Sequence, residues 1–235
     1  MKQQNREVKL IELGVKSYKT AWDFQEELFQ KVISQKRANR ENNNPRPTSN
    51  YLVWVEHPPV YTLGKSGDMS HLLLSKKQLQ QKGITFLKTN RGGDITFHGP
   101  GQIVGYPIFD LDNFFTDIHK YLRLLEQVVI DTIAYYNIKG ERISGETGVW
   151  LDVNTPFVRK ICAMGVRASR WVTMHGFALN VNTPISYFDH IIPCGIAGKG
   201  VTSMEKELKS KVSIEEVKER LLLNFEMHFK TQWIN

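Results

Sequence analysis

Arg91-Gly92-Gly93-Asp94-Ile95-Thr96-Phe97-His98-Gly99-Pro100-Gly101-Gln102 gathers four glycines, a proline and the side chains of Arg91 and His98 into twelve residues. That density of permissive backbone exceeds what an ordinary strand and its turns need, so something approaches this main chain closely. Between the glycines, Asp94, Thr96 and His98 alternate with Ile95 and Phe97. In a strand this period sends the polar set to one face and the apolar pair into the core. The polar face is aimed at a site or at solvent, and the convergence of Arg, Thr and His favours a site over a bare hairpin.

The flanking sequence is read as strands and helices around this stretch. Upstream, residues 84–88 read as a strand and 72–82 as a helix. Residues 51–55 are a continuous apolar run, as expected of a strand covered on both faces, and 60–63 follow as a short strand after Pro58-Pro59. His57, before that turn, is read as a turn residue satisfied by neighbouring backbone. Nearer the N-terminus, residues 7–13 form a strand. Residues 18–36 carry apolar side chains at helical spacing. The polar, proline-ended stretch 37–49 is read as a surface loop.

Downstream, residues 103–109 read as a strand that is an edge or is bulged at Pro107. Residues 114–136 carry a stripe at spacings of three and four, a core helix. Residues 148–153, 157–166 and 171–181 read as strands, and Lys160, Cys162 and Met164 share one face of the second. Ser213 and Glu216 are spaced for a capping box, with Val212 and Val217 as a hydrophobic staple, ahead of a last helix. Strands interleaved with helices, without an internal repeat, imply one α/β or α+β domain over residues 1–235.

Composition narrows the function. Of 235 residues, 41% are hydrophobic and 23% charged, the proportions of a soluble globular protein. No apolar run is long enough for a membrane span and no signal core opens the chain, so a cytoplasmic location is expected. The net charge of +7 favours an acidic partner in diffusional encounter. The basic residues are scattered rather than clustered, which argues against a nucleic-acid module. Cys162 and Cys194 are too few for a disulfide framework, and no metal-ligand spacing occurs. The second glycine-rich stretch, 191–200, fails as a phosphate loop: Pro193 stands where its first glycine belongs and Gly200 where its Ser/Thr belongs.

Cys194, between Pro193 and Gly195, sits where a sharp turn presents a small side chain, whereas Cys162 has apolar strand neighbours. If either thiol is a nucleophile, Cys194 is the better choice. A thiol with a pKa near ~8.5 needs nearby charge or hydrogen bonds, and a depression of about two units takes roughly 2.7 kcal/mol. Lys160, Lys199, His98, His175 and His190 are all available helpers, and spacing alone does not choose among them. Without a nucleotide, metal or flavin motif, acyl chemistry on a substrate that arrives activated, such as a thioester, is favoured, and no cofactor is expected.

Arg91-Gly92-Gly93-x-x-Thr96-x-His98-Gly99-Pro100-Gly101-Gln102, Lys160-Ile161-x-Ala163-x-Gly165-Val166, His175-Gly176-x-Ala178-x-Asn180 and Pro193-Cys194-Gly195-Ile196, with residues 56–64, together resemble the lipoyl(octanoyl) transferases, the octanoyl-acyl carrier protein:protein N-octanoyltransferases. The motifs span roughly residues 10–205 in order. The resemblance implies the biotin/lipoyl protein ligase catalytic-domain fold, a central mixed β-sheet flanked by helices. It implies octanoyl-acyl carrier protein as donor. The implied acceptor is a lysine of the apo lipoyl domains of 2-oxoacid dehydrogenase complexes or of the glycine-cleavage H protein. Cys194 matches the family's acyl-accepting thiol, and Lys160 the lysine that lowers its pKa; on the chemistry of the transfer step, Lys160 is also expected to handle the amine proton. Substrate contacts carry over to Arg91, Gly92, Gly93, Asp94, Ile95, Thr96, Phe97 and His98, to Ala163, Met164 and Gly165, and to Gly176, Phe177 and Ala178. The small residues among them leave room for a tunnel for an eight-carbon chain, favoured by about 0.8 kcal/mol per methylene. The alternatives are an amidotransferase between two lipoyl domains and an ATP-dependent lipoate or biotin ligase on the same fold.

Overall fold

The computed structural model describes residues 4–41, 45–192 and 199–234. Among them, eight strands form a mixed sheet. In space its order is β10 (Gly200–Val201), β8 (Arg159–Ser169), β9 (Val172–Asn180), β6 (Gln102–Ile108), β2 (Asn50–Glu56), β1 (Glu7–Val15) and β11 (Gln232–Ile234), with β7 (Val149–Leu151) paired to β8 off this path. A smaller sheet of β4 (Thr85–Lys88), β3 (Val60–Leu63) and β5 (Ile95–His98) stands beside it.

The period-2 geometry of β2 explains its unbroken apolar run. Leu52 and Trp54 enter a core against α3 (Ile118–Ala134) and α5 (Ile214–Phe229), while Tyr51, Val53 and Val55 enter a second core against α1 (Tyr18–Glu41). The sheet is therefore sandwiched between helices, the arrangement implied by the resemblance. No helix among the described residues is long and apolar enough to cross a membrane.

Several boundaries differ from the sequence reading. Residues 37–41 are not loop but the last turn of α1. The helix is held there from outside: buried Lys36 pairs with Asp110 at 2.5 Å, and the Asn39 amide bonds the backbone N–H and C=O of Arg46. Residues 45–49 are irregular, and 42–44 lie outside the described residues. The helix expected over 72–82 shrinks to α2 (Lys76–Gln81), because Leu72 bridges Ile191 and Ser75 caps the helix in a full capping box with Gln78. α3 begins only at Ile118, where Asp117 Oδ1 accepts the Lys120 N–H. Phe114 instead stacks on Phe109 at 5.0 Å between ring centroids. At α5, Ser213 accepts the Glu216 N–H at 3.3 Å, and Val212 and Val217 join the same core.

Pro107 lies on an internal strand rather than an edge. β6 runs between β2 and β9, but its ladder with β9 ends at Gly105↔Phe177. Where Pro107 has no N–H to give, β9 departs from regularity: His175 adopts φ +58°, and Thr173 Oγ1 donates to the Pro107 carbonyl at 2.9 Å. The irregularity sits in the partner strand.

Candidate active site

A cavity of about 690 Å³ opens between the small sheet and the β8–β9 side of the large one. Its floor follows from residue size. In the β8–β9 ladder Ala163 faces Ala178 and Gly165 faces Gly176, two small pairs in register. A Cβ on Gly165 would lie 2.6 Å from the Gly92 carbonyl oxygen, and one on Gly176 would lie 2.2 Å from that of Gly105. The backbone packs too closely there for any side chain, and all four residues line the cavity.

The glycine-rich stretch forms the facing wall. Arg91 is buried and fastens its own loop to β3: Nη2 donates to the Thr62 carbonyl at 2.7 Å and the Asp94 carbonyl at 2.8 Å, and Nη1 to the Gly92 carbonyl at 3.0 Å. The Gly92 N–H reaches the Val166 carbonyl at 3.0 Å, joining this wall to β8. Asp94, Thr96 and His98 line the cavity, as the alternation predicts. Ile95 lines it as well, whereas Phe97 does not; its ring stacks on Tyr187 with centroids 4.5 Å apart. The other implied contact residues, 91–93, 163–165 and 176–178, all line the cavity.

Lys160 lines the cavity from β8, beside Val201 of β10. Its Nζ lies 4.3 Å from the centroid of the Trp150 ring, and Lys199 Nζ lies 5.0 Å from the same ring while pairing with Glu146. An aromatic face attracts a cationic head, so the ring is a favourable contact for both side chains. Cys162 is fully buried in the helix-covered core, does not line the cavity, and has its thiol pushed well up by desolvation. Cys194 lies outside the described residues. The described residues on either side of its segment are Ile192, whose N–H donates to the His71 carbonyl at 2.8 Å, and Lys199.

The histidines separate by their surroundings. His98 is buried with Nδ1 on Gln102 Oε1 at 2.9 Å and Nε2 on Thr62 Oγ1 at 3.3 Å, and desolvation, with His57 and Arg91 nearby, holds it well below the usual histidine range. His175 is pushed down to about 3 by desolvation and then by Arg91 and Arg167; its Nε2 lies 2.7 Å from Asn90 Oδ1. His57 is pushed down to about 4 by desolvation. It spans the Lys16 carbonyl and the Tyr106 hydroxyl, so it is satisfied as expected, but by one distant backbone carbonyl and one side chain rather than by neighbouring backbone. His190 does not line the cavity; its backbone carbonyl accepts the Leu73 N–H.

These buried neutral rings carry a consequence for stability. The unfolded chain protonates its histidines near ~6.5 and so binds more protons than the folded chain below that pH. Stability is fully present above about pH 6.5 and is lost as pH falls toward 4. The midpoint of thermal denaturation is expected to drop between pH 7 and pH 5, and a His57→Gln variant to show a shallower drop.

Sequence reasoning missed several cavity residues. Tyr18 was read as helix core, yet it lines the cavity and stacks on His98 at 5.5 Å. Tyr106, Gln102 and His71 also line it, and Trp150 supplies the ring under Lys160. Only Gln102 stood inside a quoted motif; the others carry no local pattern that separates them from core or surface.

The family model for the lipoyl protein ligase A/B catalytic domain matches residues 17–226, and the chain belongs to that family. It is 66% identical over 226 residues to an octanoyltransferase of Flavobacterium psychrophilum, covering 96% of this chain and 97% of that relative. With an octanoyltransferase of Christiangramia forsetii it shares 63% over 229 residues, 97% and 98% of the two chains. The protein is an acyltransferase of this octanoyltransferase group. In fold it is similar to a bi-partite lipoate protein ligase from Thermoplasma acidophilum, with a TM-score of 0.66 at 15% identity over 99% of this chain and 88% of that one.

Proposed function

We propose that the protein moves an octanoyl group from octanoyl-acyl carrier protein to a specific lysine of an apo lipoyl domain or of the glycine-cleavage H protein, through a thioester on Cys194. The observation that carries this reading is the cavity lined by Lys160 together with Ala163 and Gly165 of its own strand β8 and their partners Ala178 and Gly176 on β9. An eight-carbon chain on that floor gains about 0.8 kcal/mol per buried methylene, some 5 kcal/mol in all. The net charge of +7 suits an acidic carrier and would speed encounter more than tighten the complex.

The chemistry divides into two exchanges. The Cys194 thiolate attacks the donor's thioester carbonyl, backbone N–H groups near the glycine-rich walls hold the oxyanion, and the carrier thiol departs. The acceptor amine then attacks the acyl-Cys194 carbonyl, and the weaker thioester is exchanged for an amide. The ammonium of Lys160 favours the thiolate in both exchanges. No step draws on ATP, since the donor arrives activated.

Mass spectrometry of the acceptor tests this against its neighbours on the fold. Incubation with octanoyl-acyl carrier protein in the absence of ATP is expected to octanoylate an apo lipoyl domain. Transfer that requires ATP and free octanoate would make the protein a ligase. Faster transfer from an octanoylated lipoyl domain than from the carrier would make it an amidotransferase.

A further inference from the structure

We propose that Val104 sets the length of acyl chain this protein accepts: the chain lies across the strands, over a row formed by Ala163, Ala178 and Val104, and its methyl end stops against Val104. The inference rests on the octanoyl-transfer reading above and adds the residue that measures the chain.

The row follows from strand register. Residues paired across neighbouring strands present their side chains on the same face of a sheet. Val104 of β6 pairs with Ala178 of β9, and Ala178 pairs with Ala163 of β8. The three residues therefore form one line perpendicular to the strands, on the face packed against α1, and all three line the cavity. Neighbouring strands lie about 4.8 Å apart, so the line from β8 to β6 is about 9.5 Å long. Seven zigzag carbon–carbon bonds of about 1.5 Å, those of an extended octanoyl chain, reach about 9 Å. Row and chain match in length.

The rows on either side turn an alkyl chain away. One is Gln102 paired with Asn180: Gln102 Nε2 donates to Asn180 Oδ1 at 2.8 Å, Asn180 Nδ2 donates to the Thr202 carbonyl at 3.0 Å, and Gln102 Oε1 lies 2.9 Å from His98 Nδ1. On the other side, Gly165 and Gly176 are pressed against the carbonyl oxygens of Gly92 and Gly105, and the Tyr106 hydroxyl lies 2.8 Å from His57 Nε2. A methylene over either of these rows would lie on polar groups already bonded to one another. The side chains of the middle row offer only methyl groups.

Burial gives the direction. Ala163 is half-buried, Ala178 is 3% exposed and Val104 only 1%. On the β8 side the cavity wall also includes Glu146, Thr147 and Lys160, a polar border. At the inner end the row runs on from Val104 to its partner Val55 on β2, which is buried in the same core and does not line the cavity. Tyr18, which does line it, has its ring centroid 5.1 Å from that of His57, two residues past Val55. The cavity thus closes at Val104, beneath Tyr18. Two macromolecules must reach the acyl carbonyl from solvent, so the carbonyl belongs at the Ala163 end and the terminal methyl at Val104.

Transfer to an apo lipoyl domain from carrier protein loaded with hexanoyl, octanoyl, decanoyl or dodecanoyl groups tests the assignment, with thermal denaturation as the control for folding. Wild type is expected to peak at eight carbons. Val104→Ala is expected to raise the decanoyl-to-octanoyl ratio of kcat/KM about tenfold, because two more methylenes find room. Val104→Phe fills the inner end and is expected to lower the octanoyl-to-hexanoyl ratio about tenfold; Val104→Ile moves it the same way by a few-fold and replaces the Phe variant if that one fails to fold. A merely structural role would lower every chain length in parallel. Parallel loss, or an optimum and ratios unchanged in all Val104 variants, overturns the assignment. Calorimetric binding of the free acids of the same four lengths is expected to follow the same order in each variant, and it needs neither Cys194 nor a carrier. Wild-type binding that strengthens steadily from six to twelve carbons overturns the assignment as well. This binding order in a protein that never forms an acyl-enzyme would count against the thioester and for the role of Val104.

Discussion

Cys194→Ala is expected to reduce octanoyl transfer to the uncatalysed background, a loss of about 10⁴-fold or more. The chain has two cysteines, Cys162 and Cys194, and the proposal assigns the acyl group to Cys194. Cys162 is fully buried within the core between the sheet and α3, and desolvation drives its thiol away from ionisation. Forming a thiolate there would place an uncompensated charge in an apolar medium, so its inertness is a property of its place on β8. Cys162→Ala is accordingly expected to transfer octanoate at a rate within a few-fold of wild type, with a stability cost of about 1 kcal/mol for the lost sulfur. Steady-state transfer assays on the two variants, with thermal denaturation as a control for folding, check the pair of expectations together. Comparable losses in both would contradict them.

Lys160→Ala carries the second large effect, a fall in transfer of about 10²–10⁴-fold. A thiol near ~8.5 is about 3% thiolate at pH 7, and a cation that lowers it by two units raises that share to about three quarters. This accounts for a factor of about 25, and lost stabilisation of charge on sulfur during both exchanges accounts for the rest. Alkylation by iodoacetamide across pH 5–10 reads the thiolate directly. The variant's profile is expected to shift upward by about two pH units, while its residual activity rises with pH. An unshifted profile would remove Lys160 from its role beside sulfur and leave it as a packed lysine on Trp150.

The parts of this account that local sequence carries are those with a strong period. The two-sided burial of 51–55 and the helical stripes of 18–36 and 217–229 each reflect one element meeting one kind of surface, so pattern and structure agree; the alternation of 94–98 places Asp94, Thr96 and His98 on the cavity but does not keep Ile95 from it. Misjudged positions are those where a distant partner decides. Asp110 holds Lys36 and so carries α1 past residue 37; Ile191 pairs with Leu72 and so delays α2; β9 absorbs the missing N–H of Pro107. The site divides in the same way. Motif residues on β5, β8 and β9 reach one cavity, but Tyr18 comes to it from a helix and His71 from a single 3-10 turn, while Trp150, on a short strand, lies against Lys160. Nothing in the spacing of those three residues records where they are placed.

The most direct measurement is peptide mapping of the wild-type enzyme after brief incubation with octanoyl-acyl carrier protein and no acceptor. The account predicts a single octanoyl thioester on the peptide containing Cys194, removed on addition of an apo lipoyl domain as the octanoyl group appears on that domain's lysine. An octanoyl group on Cys162, or an enzyme that transfers the chain while never bearing it, would contradict the account.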